Sequence, residues 1–362
     1  MKLGHLRPLY DAYGDYVSVY LDNDRAHEDA QHAIELRWRS ARERLAAAGA
    51  DTGTLDAVHE AVTDPANAGP GLAVFARNGA VRFCSGLGDA PRREIARLAM
   101  LPHVLPMLAQ RPPQVPHLRV AATRAGGEVL AVTGAGEVGE QQATADTWPV
   151  HKTPAGGWAQ DIHQRSVEEN WDANAKELAD RVGAAAGQIH AERIVIAGDV
   201  RARTLLLDRL DAPLRQAAVV VDSEVPARSE AMTAAADAAI TEYAEQACRE
   251  RFDVWQSQRT RGGAVEGLAE AMSALSDGRA SDVFVRDEPR STATAWTGPG
   301  WADLAMTAAQ LAERGVGKPV SDRADAALAR AIACTDADLW FLPGDLPAPR
   351  DGIGATLRYP QA

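Results

Sequence analysis

Ser166–Ile189 reads SVEENWDANAKELADRVGAAAGQI, and after three intervening residues Arg193–Ala197 reads RIVIA. Trp171, Ala175, Leu178, Val182, Ala185 and Ile189 recur at alternating steps of four and three, which is one face of an amphipathic helix. Ser166 and Glu169 fit the S-x-x-E box that caps the start of such a helix. RIVIA is a short apolar run, as expected of a buried strand. Val200–Leu210 then reads as a helix, Ala217–Val221 as a strand, and Ser229–Trp255 as a long helix. Upstream, Leu118–Thr123 and Glu128–Thr133 read as strands joined at Gly126-Gly127. Strands and helices in this alternation predict an α/β layer fold.

Working outward, Tyr16–Leu21 reads as a strand and His27–Ala47 as a helix with Ile34, Trp38, Ala41 and Leu45 on one face. The opposite face of that helix carries Arg37, Arg39, Arg42 and Arg44. Asn78-Gly79 marks a hairpin between Gly71–Ala76 and Val81–Cys84. Pro102, Pro106, Pro112, Pro113 and Pro116 make Leu101–Pro116 a poor regular element and a candidate linker, and Arg259–Gly263 reads as a second one. The last block is expected to alternate helix (Val265–Leu275), strand (Asp282–Arg286), helices (Trp301–Arg314 and Arg323–Ala333) and strands (Asp338–Leu342 and Gly354–Tyr359), an α/β/α module. Three domains are predicted, at 1–115, 116–261 and 262–362.

Composition sets the outer limits. The chain has 362 residues, 46% hydrophobic and 24% charged, which is ordinary for a soluble globular protein and excludes collagen-like, disordered and membrane classes. Its net charge of −12 excludes a globally basic nucleic-acid coat but leaves a local basic face open. The first block holds 13 basic and 14 acidic residues, the second 16 and 22, the third 9 and 14, so only the first is not strongly acidic. Arg92, Arg93, Arg97, Arg111, Arg119 and Arg124 gather along the chain near the first linker. Cys84, Cys248 and Cys334 are too few and too widely spaced for a disulfide framework or a zinc knuckle. Met1–Tyr20 holds no apolar run of signal-peptide type, and no stretch approaches 18 apolar residues, so a cytoplasmic location is expected.

Gly134, Gly136 and Gly139 fit G-x-G-x-x-G after a strand, but no apolar helical period follows, and Glu137 and Glu140 would repel phosphate; the segment is read as a Gly-rich loop. HExxH, GxSxG and Walker A patterns are absent from the sequence, and neither metal nor cofactor is expected. Gly134–Arg165 shows no period at all and is long for a plain loop, which points to a functional or a disordered segment. Its segment His151–Gln160, HKTPAGGWAQ, joins two glycines, an indole, an amide and a cation. Gly156-Gly157 gives backbone freedom, Trp158 can stack on a base, Gln160 can orient a water, and His151, Lys152, His163 and Arg165 can meet phosphates. The plain alternative is a solvated loop with Trp158 folded back as an anchor. Asp199 reads as the cap of the helix that follows it, Arg201 and Arg203 as a solvated face, and Trp301, Trp340 and Phe341 as core.

The closing GIGATLRYP resembles the G-x-x-A-I-L-R-[FY] terminal strand of the archaeo-eukaryotic release factor and Pelota superfamily. EGLAEAMSALSDGRASDVFV is similar to the helix and strand that open the same C-terminal domain. VSVYLD with ELRWRSARERL, and PVHKTPAGGWAQDIHQRSVEENWDANAKELADRV, resemble the bacterial branch, which includes Balon-like ribosome hibernation factors. The resemblance spans the chain and implies three domains: one facing the decoding region, a middle RNase H-like domain reaching toward the peptidyl-transferase centre, and a C-terminal domain that meets protein partners. In the true release factors a Gly-Gly-Gln loop positions water against the peptidyl-tRNA ester. The matching segment here is Gly156-Gly157-Trp158, with Gln160 two residues on.

The resemblance thus implies a ribosome-binding, A-site-occupying hibernation or stress factor without catalysis, meeting rRNA or tRNA and elongation factor Tu or another translational GTPase, but no membrane and no DNA. Its candidate RNA contacts are His151, Lys152, Gly156, Gly157, Trp158, His163, Arg165, Arg37, Arg39, Arg42, Arg44, Arg92 and Arg93. The alternative is a peptidyl-tRNA hydrolase or peptide release factor in which Gln160, in a Gly-x-x-Gln loop, is catalytic.

Overall fold

The computed structural model describes residues 1–27, 29–133, 136–144, 158–222 and 225–359, with the backbone alone over 136–144 and 158–170. The chain divides into two compact units, Met1–Arg111 with Ala247–Ala362, and Pro112–Gln246.

The N-terminal block is built on β1 (Tyr16–Asn23), α1 (Ala30–Ala47), α2 (Thr52–Thr63), β2 (Gly69–Arg77), β3 (Ala80–Leu87), β4 (Ile95–Ala99) and the short α3 (Leu105–Gln110). The strands form one antiparallel sheet in the order β3-β2-β1-β4. Asn78 and Gly79, both at positive φ, turn β2 into β3 as their sequence predicts. β1 is buried on both faces, and its alternation sorts two cores. Val17, Val19 and Leu21 meet Ile34, Trp38, Ala41 and Leu45 of α1, the face read from the sequence, together with Leu55 and Val58 of α2. Tyr16 and Tyr20 point the other way, into a core shared with the C-terminal block.

The middle unit contains β5 (His117–Thr123), β6 (Gly126–Thr133), β7 (Gly136–Thr144), α4 (Trp158–Ile189), β8 (Arg193–Gly198), α5 (Val200–Arg209), α6 (Ala212–Ala217), β9 (Ala218–Val220) and the first half of α7 (Glu230–Arg259). Its sheet runs β7-β6-β5-β8-β9, with β6 antiparallel to both neighbours and β5, β8 and β9 parallel. That order and polarity are the RNase H-like arrangement. Leu178 and Val182 of α4 and Leu206 of α5 pack on Leu118, Val120, Ile194 and Ile196. Val195 and Ala197 face Met232 and Ala236 of α7 instead.

The C-terminal block adds β10 (Ala264–Glu266), α8 (Leu268–Ser276), β11 (Ala280–Val285), β12 (Thr294–Thr297), β13 (Leu304–Ala305), α9 (Ala308–Glu313), β14 (Val320–Arg323), α10 (Ala324–Thr335), β15 (Asp338–Phe341) and β16 (Ile353–Leu357). Its main sheet, β10-β16-β11-β15, carries α8 and α10 on one face and the end of α7 on the other, where Phe252 and Trp255 pack on Phe284. Trp255 lies so close to Gly354 that a Cβ there would fall 2.6 Å from the indole.

Several expectations change. Gly136–Thr144 is an edge strand and not a loop, so no helix follows the glycines. α4 begins at Trp158 and runs through Ser166, so Ser166 and Glu169 do not cap its start. Gly126 and Gly127 lie within β6, and the turn falls just before them. Val265 belongs to a strand, because Gly267 at φ 99° breaks the backbone and α8 starts only after it. The expected helix from Trp301 is replaced by β13 and by α9, which opens on a Thr307–Gln310 capping box; Trp301 is 40% exposed. In the Pro-rich stretch, Leu101, Val104, Met107 and Leu108 are core residues, and Pro106 is tolerated because it sits in the first turn of α3.

Candidate nucleic-acid interface

His151, Lys152, Gly156 and Gly157 lie outside the described residues. Trp158, Gln160, His163 and Arg165 fall on the first turns of α4. Their setting is therefore helical, where the sequence reading had a loop.

About 20 Å further along the same helix, by its rise, Trp171 forms the centre of a charged aromatic group. The Arg124 guanidinium lies 5.1 Å from the indole centroid and that of Arg201 4.8 Å. Arg124 comes from the turn after β5, Arg201 from the first turn of α5, and both sit at the carboxyl ends of parallel strands. Asp199, the N-cap of α5, accepts from the backbone N–H groups of Arg201 (3.0 Å) and Ala202 (3.1 Å) and from Arg124 (3.0 Å). The hydrogen bond from Arg124 and the backbone donors hold its carboxyl below the usual range. Asn174 donates to the Arg124 carbonyl at 3.0 Å and fixes the turn against α4. Trp171 is half-buried, so this group presents both cation and π-face at the surface. Arg203, read from the sequence as solvated, is buried and donates to the Val221 carbonyl and to Asp222.

Of the arginines gathered along the sequence, Arg92, Arg93 and Arg97 line one cavity in the first unit, and Arg119 and Arg124 belong to the second. Arg97 is paired with the buried carboxylate of Asp322, and Arg119 is buried beside Thr233 and Asp237. Arg92 is exposed and paired with Asp287, and Arg93 is exposed. On α1, Arg37 pairs with Asp22 (3.1 Å) and Glu94 (3.4 Å), and Arg42 with Asp56 (2.6 Å). Arg39 and Arg44 are exposed and hold no carboxylate among the described residues. The basic face of α1 is thus half neutralised within the fold. Among the described residues no group of three or more His, Cys, Asp or Glu could hold a metal ion.

The sequence profile of bacterial archaeo-eukaryotic release factor family 2 matches residues 116–263. Two Mycobacterium tuberculosis proteins, the uncharacterized Rv2629 and MT2704, are each 30% identical over 371 residues, covering 99% of this chain and 97% of theirs. The chain belongs to the bacterial archaeo-eukaryotic release factor family. Solved structures of similar proteins include the archaeal translation termination factor aRF1 (15% identity, 98% of this chain and 96% of that one, TM-score 0.26). They also include Archaeoglobus fulgidus Pelota (16%, 80% and 79%, TM-score 0.33) and an archaeal Pelota in a ribosome-bound model with ABCE1 (13%, 100% and 96%, TM-score 0.41).

Sequence reasoning missed the Trp171 group, because Trp171 fits the apolar period of α4 and was read as core. The signal that could have found it is its company. Thr123-Arg124 ends one strand and Asp199-Val-Arg201 follows another, and adjacent parallel strands bring those ends together.

Proposed function

We propose that this chain is a ribosome-binding translation factor of the release-factor and Pelota type that occupies the vacant A site of idle ribosomes without catalysis. The N-terminal block, with Arg39 and Arg44 of α1 free of carboxylates, would face RNA near the decoding region. The segment 151–165 would reach toward the peptidyl-transferase centre, Lys152 against phosphate and Trp158 against a base. The acidic C-terminal block would meet a protein partner, an elongation factor Tu-like GTPase being the expected kind. Ribosome binding is supported by membership of the family and by the relatives' kind, an archaeal Pelota bound to the ribosome among them.

The observation that carries the non-catalytic reading is Trp158. It follows the two glycines directly and is the first residue of α4, where the family resemblance calls for an amide. Ester hydrolysis needs water held at attack distance, and displacements of about 1 Å can lower the rate about a hundredfold. Occupying an idle site needs affinity alone. The hydrolase reading keeps one observation, the Gly157-Trp-Ala-Gln160 spacing.

One pair of assays separates the two. Purified protein should co-sediment with vacant ribosomes, Trp158→Ala should weaken that binding several-fold, and peptidyl-tRNA on loaded ribosomes should stay intact. Peptide release that Gln160→Ala alone abolishes would replace this reading with the hydrolase.

A further inference from the structure

A cavity of about 600 Å³ opens inside the first unit. It lies between β4 and α3 on one side and the carboxyl end of β11 with the first turn of α10 on the other. Small-molecule sites run roughly 300–1,000 Å³. Ile95, Leu105, Leu268, Val285 and Leu328 supply apolar wall.

Six arginines line it as well, and four are engaged. Arg92 pairs with Asp287, Arg97 with Asp322 and Arg323 with Asp325, while Arg286 donates to the carbonyls of Leu342, Pro343 and Leu346. Arg44 and Arg93 differ. Both are exposed, neither has a carboxylate partner among the described residues, and Arg44 has only a long 3.4 Å bond to the Ser40 carbonyl of its own helix. Glu288 lines the same cavity without a cation partner among the described residues. Asp351 also lines it without a cation partner among the described residues, accepting from the Leu268 backbone N–H, while Arg286 is bonded to carbonyls alone; Arg44, Arg93 and Arg286 against Glu288 and Asp351 leave these groups net positive by one.

A ligand complementary to this lining has an anionic head and an apolar body. Guanidinium suits phosphate, because its planar fork donates two parallel hydrogen bonds to adjacent oxygens. We propose that the cavity binds a phosphorylated small molecule, its phosphate at Arg44 and Arg93 and its organic body against Ile95, Leu268 and Val285. The site does not depend on the ribosome reading, but it shares Arg44 with the RNA-facing side of α1 proposed above, so RNA and small phosphates would compete there.

Calorimetric titration of the full chain with inorganic phosphate, phenyl phosphate and AMP tests it. The organic phosphates should bind at least tenfold more tightly than inorganic phosphate. The double variant Arg44→Ala, Arg93→Ala should weaken them tenfold or more with an unchanged circular dichroism spectrum, since both side chains are exposed. Ala293→Trp, which adds bulk to the lining, should weaken the organic phosphates more than inorganic phosphate. Equal affinity for all three probes would reduce the site to a surface anion patch and overturn the proposal. So would the absence of binding at millimolar concentration, or an RNA oligonucleotide binding through the two arginines while the small phosphates do not.

Discussion

The imidazole Nε2 of His103 stands 3.1 Å from a carboxylate oxygen of Asp325, 222 residues further along the chain. His103 is buried at the start of the Pro-rich stretch, and Asp325 lies in the first turn of α10, where Arg323 also donates to it. The pair ties the first block of the chain to the last.

Burial works to raise the Asp325 carboxyl, but the hydrogen bonds from His103 and Arg323 outweigh it and hold the group well below the usual carboxylate range. A carboxyl lowered by folding stabilises the folded state above its unfolded pKa of about 3.9, and that contribution fades as pH falls below it. Asp325→Asn is expected to destabilise the protein by about 3 kcal/mol at pH 7, as loss of one member of a buried pair does. Urea unfolding at a series of pH values should show the gap between wild type and variant narrowing below about pH 4. A gap that stays constant with pH would show that the loss is one of packing.

Gly354→Ala should destabilise the C-terminal block. The added Cβ would meet Trp255, which is 1% exposed and donates from Nε1 to the Val265 carbonyl at 3.1 Å, so the ring has nowhere to go. Overpacking of this kind costs about 1–3 kcal/mol. Thermal unfolding read by tryptophan fluorescence should show a melting point lower by several degrees.

Asp199 has two tasks that two substitutions separate. Asp199→Ala removes the cap of α5 and the partner of Arg124, and should cost about 1 kcal/mol. Asp199→Asn keeps a capping oxygen and loses the charge, so it should recover most of that stability in urea unfolding while leaving Arg124 unneutralised beside Trp171.

Lys152 is expected to act by charge alone. If it meets a phosphate on the ribosome, Lys152→Ala should reduce the slope of log affinity against log salt by about one. Co-sedimentation at four or five salt concentrations measures this, and an unchanged slope would remove Lys152 from the interface.

Much of the fold was legible. The period of α4 from Trp171 to Ile189, the hairpin at Asn78-Gly79 and the strand at Tyr16–Leu21 are local signals, and each falls within the element its pattern predicts. The illegible parts have physical causes. Nothing local says that Tyr16 and Tyr20 share a core with residues of α8 and α10, because those residues are more than 240 positions away in sequence. Arg97 and Arg119 look like surface cations in a string of letters, yet Arg97 pairs with the buried carboxylate of Asp322 and Arg119 is buried with its guanidinium on the Thr233 hydroxyl, both partners lying on distant elements. The start of α4 was misplaced because Trp158–Arg165 has helix-compatible residues without an apolar stripe, and periodicity sees only stripes. At the candidate interface the residue types were readable, but which arginines are neutralised was not, since each ion pair depends on tertiary approach.

The shared core of the first and last blocks bears on how the chain is made. Leu3, Leu6, Leu9 and Tyr20 share one core with Met272 and Ile332, and these last emerge only after the whole middle unit has been synthesised. Contacts so distant in sequence form slowly, since the intervening chain must first be closed into a loop. The middle unit, contiguous from Pro112 to Gln246, can condense while its predecessor still waits. During that interval the core behind β1 and β2 lacks the share that α8 and α10 supply, and a nascent chain stalled there would be the form most in need of a chaperone.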